Sequence, residues 1–142
     1  MSRRSGSAVL ILALAFSACS GEARRRDPKP EQALAWRTVG SWSGRGNRQT
    51  ESFTSDTGAL RVRWTTTVRG DDKSKRTGAF RVTAHSAISG RILEQAVDQH
   101  GAGSGVGYVN QDPHVFYLMV ESDSLDWALS VEEAIAGTVT GR

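Results

Sequence analysis

The strongest constraint on the fold of this chain is an alternation of apolar and polar side chains at every second position. In residues 60–66, Leu60, Val62 and Trp64 fall on one face, and arginine and threonine side chains fall on the other. A period of two with one apolar face is typical of a half-buried β-strand. Residues 80–84 repeat the pattern. The chain is therefore expected to bury one side of several extended segments.

Similar patterns predict a series of strands. The regular ones lie at residues 60–66, 80–84, 115–120 and 127–131, and less regular ones lie at 36–42, 51–53, 92–97 and 106–109. Residues 92–97 are also compatible with one helical turn. Gly, Asp, Asn, Ser and Pro separate the segments at intervals of about 8–12 residues, which favours a sandwich or barrel. The sequence predicts an all-β fold, a single antiparallel β-sandwich of about seven to eight short strands over residues 35–132.

The apolar faces of these strands are expected to form one hydrophobic core. Its predicted members are Leu60, Val62, Trp64, Phe80, Val82, Leu118, Trp127 and Leu129. In the central strand, Phe116 and Val120 are placed inward as well. The glycine-rich residues 101–107 are predicted to be a mobile hairpin loop, because they lack the flanking strand and helix of a dinucleotide-binding loop. Residues 133–142 are predicted to be a flexible C-terminal tail.

Residues 1–18 have the organisation of an export signal. Arg3 and Arg4 precede an apolar stretch, residues 8–16, and small residues follow it. The apolar run covers about 11 residues to position 18, whereas a helix that spans a bilayer needs about 20. We interpret residues 1–18 as a cleaved signal peptide.

Cys19 is the only cysteine of the chain, which excludes an intrachain disulfide. With Phe16, Ser17 and Ala18 before it, Cys19 resembles the modified cysteine in the lipobox of bacterial lipoproteins, in which position 16 is usually leucine. The resemblance implies lipid on the Cys19 sulfur and a membrane-anchored protein of the cell envelope, outside the cytoplasm. Ser20 favours the outer membrane if the cell is Gram-negative. The alternative is an ordinary signal peptide and a secreted protein.

Residues 19–34 are predicted to be the lipidated N-terminus and a flexible tether, because they are polar, basic and contain two prolines. The globular part that follows resembles small β-sandwich domains of cell-envelope lipoproteins. This similarity lies in a first strand led by Trp36 and in residues 61–64, 116–120 and 126–131. These are core positions, so the resemblance implies a fold and no particular activity.

Arginines on the solvent faces of two strands are the candidate ligand-binding residues. Arg61, Arg63 and Arg81 would form a cationic patch if their strands are neighbours in one sheet, and the patch would bind an anionic envelope component or an acidic protein. The alternative is a set of cross-strand ion pairs with the acidic second half of the chain. The formal net charge of +3 falls to +1 when Arg3 and Arg4 leave with the signal. That excess is too small to indicate a nucleic-acid partner.

Catalytic and metal chemistry find little support in the sequence. Asp98 and His100, and also Asp112 and His114, are generic pairs without the spacing of known zinc sites. A Gly-x-Ser-x-Gly nucleophile motif is absent from the sequence. His85 is expected on the outer face of its strand. No catalytic residue, metal or cofactor is therefore predicted, and the protein is not expected to be an enzyme.

The tryptophans bear on the choice between binding functions. Trp64 and Trp127 share faces with apolar neighbours and are expected in the core. Exposure of Trp36 or Trp42 beside polar groups would favour a glycan-binding module. The sequence therefore favours a membrane-anchored envelope lipoprotein with a non-catalytic binding or structural domain. A carbohydrate-binding module is the alternative, and a small envelope enzyme is less favoured.

Overall fold

A computed structural model describes residues 32–70 and 78–138, and every regular secondary-structure element in those ranges is a β-strand. The strands are β1 (Gln32–Arg45), β2 (Arg48–Gln49), β3 (Phe53–Ser55), β4 (Ala59–Val68), β5 (Ala79–Ser86), β6 (Ile92–His100), β7 (Gly103–Asn110), β8 (His114–Ser122) and β9 (Leu125–Thr138). The predicted signal peptide, the predicted lipidation site Cys19 and the predicted tether as far as residue 31 lie outside the described residues. Within those ranges, no helix is long and apolar enough to cross a membrane.

The strands form two antiparallel sheets that pack face to face. Sheet A has the order β1-β9-β4-β7, and sheet B has the order β2-β8-β5-β6 with β3 also paired to β8. The predicted β-sandwich is confirmed. The described residues contain nine strands rather than seven or eight, because the short β2 and β3 are separate elements. Residues 92–97 belong to β6 and are not a helical turn.

The core lies between the two sheets, and all the residues predicted for it are there. Each of the eight is at most 8% exposed. Phe116 and Val120 are fully buried as well. The period-two pattern predicted these positions correctly because one face of β4, β5, β8 and β9, which carry them, packs on the opposite sheet.

Glycines on β7 make room for the neighbouring strands. Gly105 lies opposite Trp64 in the β4–β7 register, and a Cβ at this position would lie 2.9 Å from Cζ2 of the Trp64 ring. At Gly107 a Cβ would lie 2.0 Å from the carbonyl oxygen of Ala96 on β6. The prediction of a loop over residues 101–107 is therefore wrong from Gly103 onward, since β7 begins there.

The boundaries of the domain also differ from those predicted. β9 continues to Thr138, so residues 133–138 are strand and not the start of a tail. β1 begins at Gln32, inside the stretch assigned to the tether. Glu133 is fully buried. A charged residue at an inward position breaks the apolar alternation, which is why the sequence pattern ended too early.

Candidate functional site

The topology separates the three arginines that were predicted to form one patch. Arg61 and Arg63 are on β4 in sheet A, whereas Arg81 is on β5 in sheet B. The strands β4 and β5 follow one another in the chain, but they are not neighbours in a sheet. The predicted single cationic patch is therefore wrong, because these side chains extend from opposite faces of the sandwich.

Arg81 is part of a row of alternating charges on sheet B. Asp98 of β6 and Glu121 of β8 lie opposite it in the two registers. Its guanidinium nitrogens are 3.8 Å from the Asp98 carboxylate and 3.6 Å from the Glu121 carboxylate. This is the cross-strand pairing that the sequence offered as the alternative. Exposed pairs of this kind contribute about 0–1 kcal/mol each.

Arg61 is also held by its neighbours. Its Nε donates to the carboxylate of Glu132, which lies opposite it on β9. This hydrogen bond raises the pKa of Arg61 and lowers the pKa of Glu132. The guanidinium carbon is 4.4 Å from the centroid of a Trp36 ring, a cation–π arrangement. Arg61 therefore joins β4 to Glu132 of β9 and to Trp36 of β1 on the outer face of sheet A.

Arg63 differs from the other two arginines. It is exposed, and it makes no ion pair with any residue in the ranges 32–70 and 78–138. Its neighbours in register are Ser130 on β9 and Val106 on β7. The Glu132 carboxylate is close enough for Arg63 to help lower its pKa, but the two side chains form no ion pair. The five N–H donors of Arg63 therefore stay available for a ligand.

Arg63 stands in a shallow open groove on the outer face of sheet A, here called the sheet A groove. The groove has a volume of about 720 Å³ and reaches residues of all four strands. Its outward residues form two rows in register, Ser41, Ser130, Arg63 and Val106 in one and Ser43, Ala128, Thr65 and Ser104 in the other. The Ser41 hydroxyl donates to Ser130 at 3.1 Å. Because most of these side chains are small, the floor of the groove is recessed. Its serine and threonine side chains line the floor with hydroxyl groups.

Aromatic residues border this groove on the side of Arg61. Tyr108 lies opposite Arg61 on β7 and is 55% exposed. Trp36 is half-buried on the same face. Trp42 instead packs on the core, and its Nε1 donates to Glu51 at 2.6 Å. Neither tryptophan whose exposure the sequence left open is the exposed platform that the glycan-binding alternative asked for, since Trp36 is half-buried with the Arg61 guanidinium over its ring. The exposed aromatic residue beside the groove is Tyr108.

The two Asp–His pairs do not converge. His100 ends β6 opposite Ala79, whereas His114 begins β8 opposite Ser55 at the other end of the sandwich. In the part of the chain that the structure describes, no cluster of three or more His, Cys, Asp or Glu residues could hold a metal. The two Asp–His pairs therefore do not form one site.

A serine–histidine contact that the sequence did not reveal closes the β5–β6 turn. The hydroxyl of Ser86 is 2.6 Å from Nε2 of His114. Ser86 is only 3% exposed, and its hydroxyl accepts the backbone N–H of Ser89 at 3.2 Å. The contact therefore fixes the turn and does not present a nucleophile to solvent. His85 stacks on Tyr117 with ring centroids 4.9 Å apart.

A buried carboxylate is the other polar feature that the sequence pattern missed. Glu133 accepts hydrogen bonds from the Arg37 guanidinium, from the Ser55 hydroxyl at 2.8 Å and from the Asp56 backbone N–H at 2.9 Å. Burial acts to raise the pKa of Glu133, but these hydrogen bonds outweigh it and the pKa is lowered. Because its partners come from β1, from the end of β3 and from the β3–β4 turn, Glu133 holds that turn against sheet A.

The outer face of sheet A therefore combines an arginine that has no ion partner among the described residues, a floor of hydroxyl groups and an exposed aromatic ring. Such a surface suits an extended ligand that carries both negative charge and hydroxyl groups. No protein-family model and no curated protein matches this chain.

Proposed function

We propose that this protein is a membrane-anchored lipoprotein of the cell envelope whose β-sandwich binds an acidic glycan in the sheet A groove. The binding part of the proposal rests on Arg63, the groove arginine that is exposed and has no ion partner among the described residues. Arg61 and Arg81 are occupied by carboxylates. Of these three arginines, Arg63 is the one left available to a ligand.

The other residues of the groove fit the same class of ligand. Serine and threonine hydroxyls both donate and accept hydrogen bonds, as sugar hydroxyls do. A guanidinium binds a carboxylate through two parallel N–H donors, which makes Arg63 selective for an acidic sugar. Tyr108 offers an exposed ring next to these polar groups, and aromatic rings provide apolar contact area in ligand sites.

The anchored location rests on the N-terminal sequence. A lone cysteine follows an apolar stretch that is too short to span a bilayer. Two or three acyl chains on Cys19 would hold the protein on the membrane, since each buried CH₂ contributes about 0.8 kcal/mol. The domain would then act on the extracytoplasmic side, where glycans are found.

The ligand class is tested by retention of the full chain, solubilised in detergent, on immobilised polygalacturonate and on immobilised dextran. The two supports compare an acidic with a neutral polysaccharide. We expect retention on polygalacturonate alone, and we expect added salt to weaken it because exposed charges are screened. Equal retention on both supports would contradict a role for charge, and retention on neither would contradict the acidic-glycan proposal.

A further inference from the structure

The strands β1 and β9 extend beyond the rest of sheet A as a two-stranded ribbon. β4, the other neighbour of β9, pairs with it only as far as Glu133. β1 stays paired with β9 over five further residue pairs, from Trp36–Ala134 to Gln32–Thr138. At the rise of a β-strand, this ribbon is about 17 Å long.

The ribbon is uncharged and largely apolar. Its paired residues are Gln32, Ala33, Leu34, Ala35 and Trp36 on β1, and Ala134, Ile135, Ala136, Gly137 and Thr138 on β9. Leu34 is 65% exposed. The first charged pair, Arg37 with Glu133, closes its base. An exposed apolar segment that projects from a sheet marks a candidate contact surface.

Two further exposed aliphatic residues lie at the same end of the sandwich. Ile88 is 77% exposed and Ile92 is 67% exposed, and both belong to the β5–β6 turn region. That turn follows Ser86, which pairs with Phe116 near the beginning of β8. The beginning of β8 lies at the ribbon end, because it pairs with Ser55, whose hydroxyl binds Glu133. Both sheets therefore expose apolar side chains at this end of the sandwich.

We propose that the ribbon end rests on the lipid surface, with Leu34 and Trp36 in the interfacial region of the bilayer. This inference rests on the lipid anchor of the proposed function. Gln32 follows Cys19 by 13 residues, and a chain of that length spans at most about 45 Å. The covalent connection thus enters the domain through the ribbon itself. Tryptophan is favoured at membrane–water interfaces, because its ring is apolar and its N–H is polar.

Because Cys19 is the only native cysteine, a cysteine introduced into the ribbon provides a direct test. Lipidation blocks the Cys19 sulfur, so Leu34→Cys would supply the single free thiol of the lipidated protein. This thiol is labelled with the fluorophore NBD, and the protein is reconstituted into vesicles of phosphatidylethanolamine and phosphatidylglycerol. The matched control is Ala102→Cys, an exposed position in the β6–β7 turn. This turn is at the far end of β4, where Thr66 pairs with Gly103.

We expect the label at position 34 to shift its emission to the blue and to be quenched by nitroxide-labelled lipids, and the label at position 102 to show neither effect. Equal exposure of both labels to water would overturn the inference. A blue shift that needs no lipid and grows with protein concentration would also overturn it, because a second copy would then cover the ribbon. Labelling of the parent chain at Cys19 would instead contradict the lipid anchor, and the membrane contact with it.

Discussion

Trp64 of β4 lies directly opposite Gly105 of β7, and its ring occupies the space in which a side chain at position 105 would lie. Gly105→Ala should therefore lower the free energy of unfolding by about 1–3 kcal/mol, because overpacking displaces a large ring. Gly103→Ala is the matched control, since its Cβ would lie 3.9 Å from the nearest atom. Urea denaturation should find the control unchanged or more stable by about 0.4–1 kcal/mol. Equal effects of both changes would contradict this packing.

Replacing Trp64 is expected to destabilise the protein more than replacing Gly105. Trp64 is 8% exposed and its ring is 5.5 Å from that of Phe80 in the opposite sheet. Trp64→Ala should cost about 3–5 kcal/mol of the roughly 5–15 kcal/mol that such a domain has. Thermal unfolding should show a large decrease in Tm. An unchanged Tm would mean that Trp64 does not join the two sheets.

The buried Glu133 should make the protein sensitive to acid. Glu133→Gln removes the charged partner of Arg37, and it should lower the free energy of unfolding at neutral pH by about 1–3 kcal/mol. Asp112→Asn, at an exposed position, is a control that should leave this free energy nearly unchanged.

The sign of the pH dependence follows from the lowered pKa of Glu133. A free Glu side chain has a pKa of about 4.3. The carboxylate therefore contributes stability that is complete above that pH and is lost as the pH falls through the lowered folded-state value. Denaturation curves below about pH 4.3 should show a smaller loss for Glu133→Gln than for the parent protein. Part of the loss should persist, because the pKa values of Glu132 and Asp126 are lowered as well.

Lipidation at Cys19 can be measured in cells that express the full chain. Labelled palmitate should enter the parent protein and be absent from Cys19→Ala, whose precursor should accumulate because the modified cysteine directs cleavage. Ser20→Ala is the control and should be labelled like the parent. Equal labelling of the parent and Cys19→Ala would show that the lipid is attached elsewhere.

The core could be predicted from the sequence, because the period of two shows which side chains of one strand share a face. Leu60, Val62 and Trp64 are buried together for that reason. Glycine at every second position, at 103, 105 and 107, also indicates a strand, because these glycines leave space on its inward face.

The pairing of strands could not be predicted in the same way. Alternation within a strand carries no information about its neighbours, and β4 pairs with β9, about 65 residues away in sequence, rather than with β5. Whether Arg61 and Arg81 are free or paired depends on that topology. Glu132 and Asp98 were therefore missed as specific partners, although ion pairing in general was expected.

The central claim is that Arg63 binds the ligand in the sheet A groove, and the most direct test compares two arginine variants. Retention of Arg63→Gln and Arg81→Gln on immobilised polygalacturonate is measured at low salt, after denaturation has confirmed that each variant keeps the parent's stability to within about 1 kcal/mol. We expect Arg63→Gln to weaken binding about tenfold, which corresponds to about 1.4 kcal/mol. Arg81→Gln, on the opposite sheet, should bind like the parent. Unchanged binding by Arg63→Gln, or an equal loss in both variants, would contradict the account.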